Sequence, residues 1–427
     1  MAKITSEEIL TYSPFNTGGD EQLPKYERKL ASKIYSFISA KKRFIIAVDG
    51  LRRVGKSIML KQLLDKIRKD GRTVFYFSFD KKAHQNPETL EEVVKFFTEK
   101  DGNGMICLDE VGKIEDWAGV LKKYYDRTNA AFFVSSSAAL HIKKGTESLA
   151  GRMLNYTLPP LGFDEYLELK NAKQKKIVLD FSNPEAVSKY GEHLEEFFHK
   201  GSYPEIYGVD DREVIKNYIR NSTVEKMIYE DIPSIFKIEH VSKLAGIFEY
   251  FANYSGDLVQ EKTLSGIIGL SEPSVSDYVS YLEESHLVKR VFTEANYAKM
   301  VRRKKKGYVA SASIYSNLTS NFSDGKLAET AVFEKLAKFN PLVYRDEMQR
   351  EVDFTLRSGK KHVPIEVKFS EHVSASELVG LRYYMEKRKL TQGHVIYNGQ
   401  YDRLEVDGKT VHLIPLSTFL AADEIII

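Results

Sequence analysis

The sequence predicts an α/β protein whose first domain is built on a mostly parallel β-sheet with helices on both faces. Two observations predict this fold class: apolar strand patterns alternate with helical patterns over residues 26–161, and a glycine-bounded loop joins the first of these strands to a helix. Such alternation is typical of parallel sheets, whose strands are buried on both sides. The chain has 427 residues, too many for one hydrophobic core, so we expect roughly two to four domains.

The glycine-bounded loop has the residue pattern of a phosphate-binding loop. Gly50 lets the chain leave the strand abruptly, and Gly55 lets the backbone approach a phosphate oxygen at the positive end of the following helix. Lys56 is predicted to reach the β and γ phosphates and the Ser57 hydroxyl to bind Mg²⁺. The alternative is a turn that only joins strand to helix. The predicted nucleotide-binding residues are Gly50, Leu51, Arg52, Arg53, Val54, Gly55, Lys56, Ser57 and Ile58.

A second apolar strand, beginning at Met105, ends in two adjacent acids, Asp109 and Glu110. Such a pair alone is weak evidence, because acids also cap helices. About 50 residues after a phosphate loop, it predicts that Asp109 holds Mg²⁺ and that Glu110 polarises the water that attacks the γ phosphate.

Two further features of this domain each have a functional and a purely structural interpretation. The strand Ala131–Val134 ends in three serines, 135–137, which would either sense the γ phosphate or cap the helix expected to follow, up to Leu149. Arg152 precedes the strand Met153–Leu158. It would either reach a nucleotide held by a neighbouring subunit or form a surface salt bridge of little energetic weight.

Taken together, the segments GLRRVGKS, LDEVGKIEDW, the serine-tipped strand, SLAGR, LPPLGFDEYLEL and GSYPEIY resemble the uncharacterised AAA-type ATPases of archaea and bacteria. The resemblance implies an AAA-type P-loop ATPase domain over residues 1–168, a helical and winged-helix region over 169–300, and a restriction-endonuclease-like domain over 301–427. It implies ATP and Mg²⁺ as cofactors, and Arg152 matches the family's Gly-Arg pair. The sequence departs from the family at Ser136, where glycine is usual.

The central region contains a predicted helix-turn-helix around Gly269–Ser271. The second helix exposes serines and acids but no Lys or Arg, so it would meet DNA phosphates with the wrong charge, and we favour a packing module over a DNA reader. Residues 170–176 form a predicted boundary loop. The basic run Arg302–Lys306 would be either a phosphate-contacting wing or a solvated turn.

The C-terminal third carries a second set of polar residues. Strands Glu351–Leu356 and Val363–Phe369 alternate cleanly, and only one parity of register, Phe354 facing Ile365, matches their apolar faces. Two carboxylates and a lysine would then project together, as a Mg²⁺-dependent phosphodiesterase requires. This spacing resembles the PD-(D/E)xK nuclease core, which implies metal-binding and catalytic roles for Asp353, Glu366, Lys368 and the helical acid Glu329. The alternative is a salt-bridged hairpin face.

The composition limits the setting and the partners. The net charge is +3 and there is one cysteine, Cys107, so no disulfide framework is expected and a reducing, cytoplasmic location fits. No run is apolar enough for a membrane segment. Candidate partners are nucleic acid and further copies of the chain. We expect a Mg²⁺-dependent AAA-type ATPase that couples nucleotide state to nucleic-acid handling. The alternatives are a nucleotide-switched scaffold or signalling protein, and a nuclease whose nucleotide domain is structural.

Overall fold

The computed structural model describes residues 4–39, 43–137, 148–171, 183–295, 304–359 and 361–423. The chain forms two compact units. The first comprises Met1–Pro160, Ser222–Glu239 and Glu284–His286, and the second comprises Leu161–Asn221, His240–Glu283 and Leu287–Ile427. Within the described ranges, no helix is both long and apolar enough to cross a membrane.

The first unit is built on a parallel sheet of five strands in the order β2-β3-β4-β1-β5 within the described part of the chain. All residues of β1 to β4 are buried, as expected of a parallel sheet covered on both faces. The strands are β1 (Ile45–Asp49), β2 (Val74–Ser78), β3 (Met105–Asp109), β4 (Ala131–Ser135) and β5 (Met153–Thr157). The α/β fold class with a parallel sheet is therefore confirmed.

Helices connect these strands and bury one apolar face each. The third helix keeps its apolar residues at helical spacing against the sheet, and the fourth begins with an Asn86 cap followed by Pro87. Residues 138–147, where the predicted helix ending at Leu149 would lie, are outside the described residues. The helices are α1 (Ser6–Thr11), α2 (Lys29–Ser39), α3 (Lys56–Lys69), α4 (Pro87–Lys100) and α5 (Trp117–Arg127).

The strand order decides which residues of the first unit meet. Strand β4 lies between β1 and β3, and all three run in the same direction. Their carboxyl ends, which carry the phosphate loop, the acid pair and the serines, therefore share one edge of the sheet. A π-helical turn, Met227–Asp231, and a short α-helix, Ile232–Ile235, belong to the same unit.

The second unit begins with helices and a three-stranded antiparallel sheet in the order β6-β8-β7. The predicted pair of helices around Gly269 is confirmed, and Gly269 ends the first of them with φ +70°, as a helix C-terminal glycine does. The elements are α6 (Phe163–Leu169), α7 (Pro184–Gly191), α8 (Leu194–Glu196), α9 (Arg212–Asn217), α10 (Val241–Asn253), β6 (Asp257–Val259), α11 (Glu261–Ile268), α12 (Glu272–Glu284), β7 (Val288–Phe292) and β8 (Lys305–Val309).

A mixed sheet in the order β13-β14-β12-β11-β10-β9 forms the C-terminal part of this unit. Phe354 pairs with Ile365, so the predicted register of the β10–β11 hairpin is confirmed. The elements are α13 (Ala312–Leu318), α14 (Asp324–Leu336), β9 (Leu342–Arg345), β10 (Glu351–Ser358), β11 (Lys361–Lys368), α15 (Val379–Arg388), β12 (Gln392–Tyr397), β13 (Asp402–Val406), β14 (Lys409–Pro415) and α16 (Leu416–Ala421).

The basic run at 302–306 differs from both sequence interpretations. Residues 302 and 303 are outside the described residues, as is most of the predicted boundary loop at 170–176. Lys304 is exposed, but Lys306 lies in β8 and is only 3% exposed. Lys306 is therefore neither part of a solvated turn nor free to contact a phosphate, because its side chain is held by the carboxylates of Glu329, Glu351 and Asp353. The expected domain limits and the winged-helix assignment stay predictions.

Candidate functional site

The phosphate loop adopts backbone angles that its glycines allow. Gly50 has φ +145°, and a Cβ atom there would lie 2.3 Å from the carbonyl oxygen of Leu158, so no side chain fits. Gly55 has φ +94° and precedes α3, leaving the first amides of the helix available to an anion. Arg28, which precedes the loop in the chain, fixes its backbone, since the Arg28 Nη1 donates to the carbonyl of Val54 at 2.6 Å.

Lys56 is folded back onto its own loop. It is 6% exposed, and its Nζ donates to the carbonyl oxygens of Gly50 at 2.8 Å and Leu51 at 3.0 Å. Burial lowers the pKa of Lys56, although the charges of Glu110 and Asp109 act in the opposite direction. The ammonium group is therefore held by two weak acceptors beside the acid pair, and phosphate oxygens would be stronger partners for it.

The acid pair is fixed by hydroxyl groups of the neighbouring strands. Asp109, 1% exposed at the end of β3, accepts hydrogen bonds from Tyr76 Oη at 2.8 Å and from Ser135 Oγ. Ser135 Oγ in turn accepts from the backbone amide of Glu110 at 2.9 Å. Glu110 has φ +55°, a conformation that is uncommon for a residue with a side chain. Ser135 thus bridges both acids and supports this strained turn.

A second network links the phosphate loop to Glu110. Arg52 forms a two-pronged ion pair with Asp231, with Nη2 2.7 Å from Oδ1 and a further bond from Nε. Asp231 Oδ2, the oxygen that Arg52 Nε also contacts, accepts from Ser137 Oγ at 3.3 Å, and the same hydroxyl lies 3.3 Å from Glu110 Oε2. Burial alone would lower the pKa of Arg52, but Asp231 outweighs burial and raises it.

The structure therefore brings the phosphate loop, Asp109 and Glu110 to one edge of the sheet and places Arg152 elsewhere. Arg152 lies at the amino end of β5, where its carbonyl accepts from the Ile45 amide at 2.8 Å, and its Nε is 2.9 Å from Asp126. For Mg²⁺, the carboxylate of Asp109 and the hydroxyl of Ser57 have suitable chemistry, and the hydroxyls that orient Asp109 resemble the outer partners of metal ligands.

The predicted C-terminal residues surround a lysine that sequence reasoning did not place there. Lys306 Nζ lies 2.8 Å from Glu329 Oε1, 2.6 Å from Glu351 Oε1 and 2.8 Å from Asp353 Oδ1. Tyr308 Oη also donates to Glu329 Oε1, at 2.7 Å. In the part of the chain that the structure describes, no three His, Cys, Asp or Glu side chains are arranged to hold a metal ion. The centre of this cluster is taken by an ammonium group.

Glu366 and Lys368 lie on the adjacent strand. Lys368 Nζ donates to Glu366 Oε1 at 2.9 Å, and the amide of Val367 donates to Asp353 Oδ2 at 2.9 Å. Burial, reinforced by the charge of Asp353, raises the pKa of Glu366 to about 8. Lys306 keeps the pKa of Asp353 below its ordinary value, against the effect of burial. Burial and the neighbouring charge thus favour the protonated form of Glu366, whereas Lys306 favours the ionised form of Asp353.

Several functional candidates escaped the sequence reasoning. Asp231 and Lys306 make their contacts with residues far along the chain, so no local spacing identifies them. Tyr76 and Glu351 belong to strand patterns that also suit ordinary sheet residues. The serine tip of β4 did carry a signal, since a polar group at the end of a buried strand is unusual, but it did not show which serine bridges the acids.

Comparison with known protein families agrees with the fold of the first unit. A family model described as an AAA domain matches residues 42–167. Two models described as domains of unknown function, DUF8612 and DUF4143, match residues 191–325 and 324–419. With the strand order and the loop geometry, the first match shows that the chain carries an AAA-type P-loop domain.

Relatives of similar length exist in archaea and bacteria. An uncharacterized protein of Methanocaldococcus jannaschii is 23% identical over 390 residues, 88% of this chain and 87% of the relative. A second protein of that organism, also uncharacterized, is 27% identical over 300 residues, 65% of this chain and 63% of the relative. An uncharacterized protein of Haemophilus influenzae is 22% identical over 390 residues, 86% of this chain and 92% of the relative.

Solved structures with some similarity include AMPPCP-bound DnaA from Aquifex aeolicus and PCH-2 from C. elegans. The DnaA chain is 14% identical and aligns over 64% of this chain and 92% of its own length, with a TM-score of 0.27. PCH-2 is 13% identical over 60% of this chain and 69% of its own length, with a TM-score of 0.28. The fold assignment rests on the strand order and the family model, and these two superpositions add nothing to it.

Proposed function

We propose that the protein binds ATP and hydrolyses it in the first unit. The observation that carries the proposal is the shared edge of the sheet, where Ser135 bridges Asp109 and Glu110 beside the phosphate loop. The amides after Gly55 would hold phosphate oxygens, and Lys56 would exchange its two carbonyl partners for the β and γ phosphates.

The remaining roles follow from the same geometry. Ser57 and Asp109 are the residues that would hold Mg²⁺, which when bound neutralises phosphate charge. Glu110 would accept the proton of the attacking water, because its carboxylate lies beside Ser137 and its described ion pair, with Lys113, is long at 3.6 Å.

The test compares ATP binding and turnover in wild type, Lys56→Ala and Glu110→Gln. We expect Lys56→Ala to weaken ATP binding by roughly 10-fold or more, because it removes a charged phosphate contact. Glu110→Gln should bind ATP normally and lose turnover by about 10²-fold or more. Undiminished turnover in Glu110→Gln would contradict the role of the glutamate, and the absence of ATP binding by wild type in calorimetry would contradict the proposal itself.

For the C-terminal domain we propose a nuclease-like role controlled by the nucleotide state. Asp353, Glu366 and Glu329 supply the carboxylates that a phosphodiesterase needs, and Lys368 would stabilise charge on the phosphate. The assay is metal-dependent cleavage of plasmid and branched DNA by wild type and Asp353→Ala. Cleavage by wild type alone supports the role. Equal, negligible cleavage by both proteins, with ATP as well as without it, would remove it without affecting the proposed ATPase.

A nucleotide-switched scaffold or signalling protein is the second candidate. It is favoured by the exposed acids of α12, such as Glu272 and Asp277, which would repel DNA phosphates. It is favoured also by Lys306, which fills the carboxylate cluster. In this case both C-terminal modules would bind protein partners, and wild type would bind neither plasmid nor branched DNA in a gel-shift assay at low ionic strength.

A further inference from the structure

Lys306 has the surroundings of a bound cation and not of a surface lysine. It reaches the C-terminal cluster from β8, in the three-stranded sheet, and is 3% exposed. Oxygen atoms of three carboxylates, Glu329, Glu351 and Asp353, lie within 2.8 Å of Nζ. The ammonium group donates hydrogen bonds to Glu329 and Asp353 and forms an ion pair with Glu351, so it lies where the oxygens that a divalent cation prefers converge.

Other basic residues near the three carboxylates do not replace the charge of Lys306. Two basic residues flank the cluster from outside: Arg345 Nη1 is 2.7 Å from Glu351 Oε2, and Lys326 Nζ is 3.4 Å from Glu329 Oε2. Neither reaches Asp353 in the contacts that the structure describes. Removing Lys306 would leave three partly or fully buried carboxylates facing a common point with no cation there, which is costly unless another cation enters.

A further oxygen at the cluster points to a ligand. Glu366 is 9% exposed, and its Oε2 atom is buried with no hydrogen-bond partner. Glu366 lies next to Ile365, and Asp353 next to its partner Phe354, so both carboxylates project from the same face of the hairpin. The cluster therefore offers an unused carboxylate oxygen in addition to the three that bind Lys306.

We propose that the Lys306 ammonium is a tethered cation in the divalent-metal position of this carboxylate cluster, and that a divalent cation binds there only when Lys306 is withdrawn. The inference rests on the nuclease-like role proposed above and specifies its regulation. Movement of β8, which carries Lys306, would be the event that opens the site.

The experiment measures Mn²⁺ binding to the full chain without nucleotide, by the loss of the free Mn²⁺ signal in electron paramagnetic resonance. Lys306→Met removes the charge and keeps the length of the side chain. Lys304→Met, on an exposed lysine just before the same strand, is the matched control. Lys306→Met combined with Asp353→Asn identifies the site, since it should abolish any Mn²⁺ binding that Lys306→Met creates.

We expect Lys306→Met to bind one Mn²⁺ at least 10-fold more tightly than wild type and Lys304→Met. Lys306→Met leaves its acids uncompensated, which lowers stability. Lys306→Met combined with Glu351→Gln removes one of these acids as well and keeps Glu329, Asp353 and Glu366. Thermal denaturation gives an independent readout: Mn²⁺ should raise the melting temperature of Lys306→Met and of Lys306→Met with Glu351→Gln, and leave that of wild type unchanged.

Two results would overturn the inference. One is Mn²⁺ binding by wild type that is equally tight and is lost on Asp353→Asn. The other is the absence of binding and of thermal stabilisation in Lys306→Met and in Lys306→Met with Glu351→Gln when their circular dichroism is native. DNA cleavage separates this inference from the nuclease role: Mn²⁺ binding by Lys306→Met without cleavage rejects the nuclease and keeps the tethered cation, whereas cleavage with unchanged Mn²⁺ affinity does the reverse.

Discussion

Arg52, in the phosphate loop, donates to both carboxylate oxygens of Asp231, a residue 179 positions further along the chain. Asp231 also accepts from Ser137, whose hydroxyl lies 3.3 Å from Glu110. A single carboxylate thus connects the loop that would hold phosphates with the glutamate that would activate water. A change that releases Arg52 from Asp231 is therefore expected to alter the position of the Glu110 carboxylate, through Ser137.

We therefore expect Asp231→Asn to act on turnover more than on nucleotide affinity. The amide keeps one acceptor but loses the charge, so Arg52 and Ser137 are no longer held in fixed positions. The ATPase kcat should fall by roughly 10-fold or more while KM changes little, as is expected when an interaction is needed in the transition state. Glu230→Gln, at the exposed neighbouring position, should leave both constants unchanged. An equal loss in both variants would contradict this positioning role.

Ser135→Ala tests the bridge between the two acids. The substitution removes the hydroxyl that donates to Asp109 and accepts from the Glu110 amide. Since Glu110 adopts a left-handed backbone conformation, loss of this support should misplace its carboxylate, and we expect kcat to fall by roughly 10- to 100-fold. Ser135→Thr keeps the hydroxyl and should restore most of the activity. Full activity in Ser135→Ala would show that the bridge is dispensable.

The first unit was predictable because its signals are local. Gly50, Gly55, Lys56 and Ser57 lie in one short segment, and their roles depend on backbone angles that residue type restricts. The position of the acid pair followed from alternation, since parallel strands place their carboxyl ends at one edge. Asp231 was not predictable, because its helical turn contains no pattern that distinguishes a loop partner from an ordinary surface acid.

In the C-terminal part, strand alternation predicted the pairing of Phe354 with Ile365 and hence the common face of Asp353 and Glu366. The same reasoning could not predict Lys306. A basic run is usually solvated, and only the pairing of β8 with β6 and β7, together with the packing of α14, turns this one lysine into a buried partner of acids. Long-range contacts of this kind are specified by tertiary structure.

Arg152 is predicted to act on a nucleotide held by a second copy of the chain. Within its own chain it lies at the amino end of β5, at the opposite edge of the sheet from the phosphate loop, paired with Asp126. We expect Arg152→Ala to lose roughly 10³-fold in turnover at protein concentrations at which copies of the chain associate. Asp126→Asn removes the ion pair, keeps the arginine, and should remain active.

Mixing variants makes this prediction sharper. Arg152→Ala keeps an intact acid pair, and Glu110→Gln keeps the arginine. A complete site can therefore form only where the phosphate loop and acid pair of an Arg152→Ala subunit meet the arginine of a Glu110→Gln subunit. A mixture of the two should regain ATPase activity, and the gain should rise with protein concentration. A mixture as inactive as its components, although both bind ATP and associate, would show that Arg152 forms only a surface salt bridge.

Glu294 is expected to make the stability of the second unit depend on acid pH. Its side chain is 1% exposed and accepts from Tyr384 Oη at 2.8 Å and from the guanidinium groups of Arg357 and Arg388. Burial alone would raise the pKa of Glu294, but these donors outweigh burial and lower it below its ordinary value of 4.5. A depressed folded-state pKa gives stability that is fully present above the unfolded value and is lost as the pH falls through the folded value. Glu294→Gln should therefore lower the free energy of unfolding by about 2 to 4 kcal/mol at pH 7, measured as a lower urea midpoint. The difference from wild type should shrink as the pH is lowered through and below 4.5.

Glu347→Gln, at an exposed position, is the control and should leave the urea midpoint unchanged at pH 7 and at acid pH. If the midpoint of Glu294→Gln is lower than that of wild type by the same amount at every pH, then the shape of the Glu294 side chain, and not its charge, stabilises the unit.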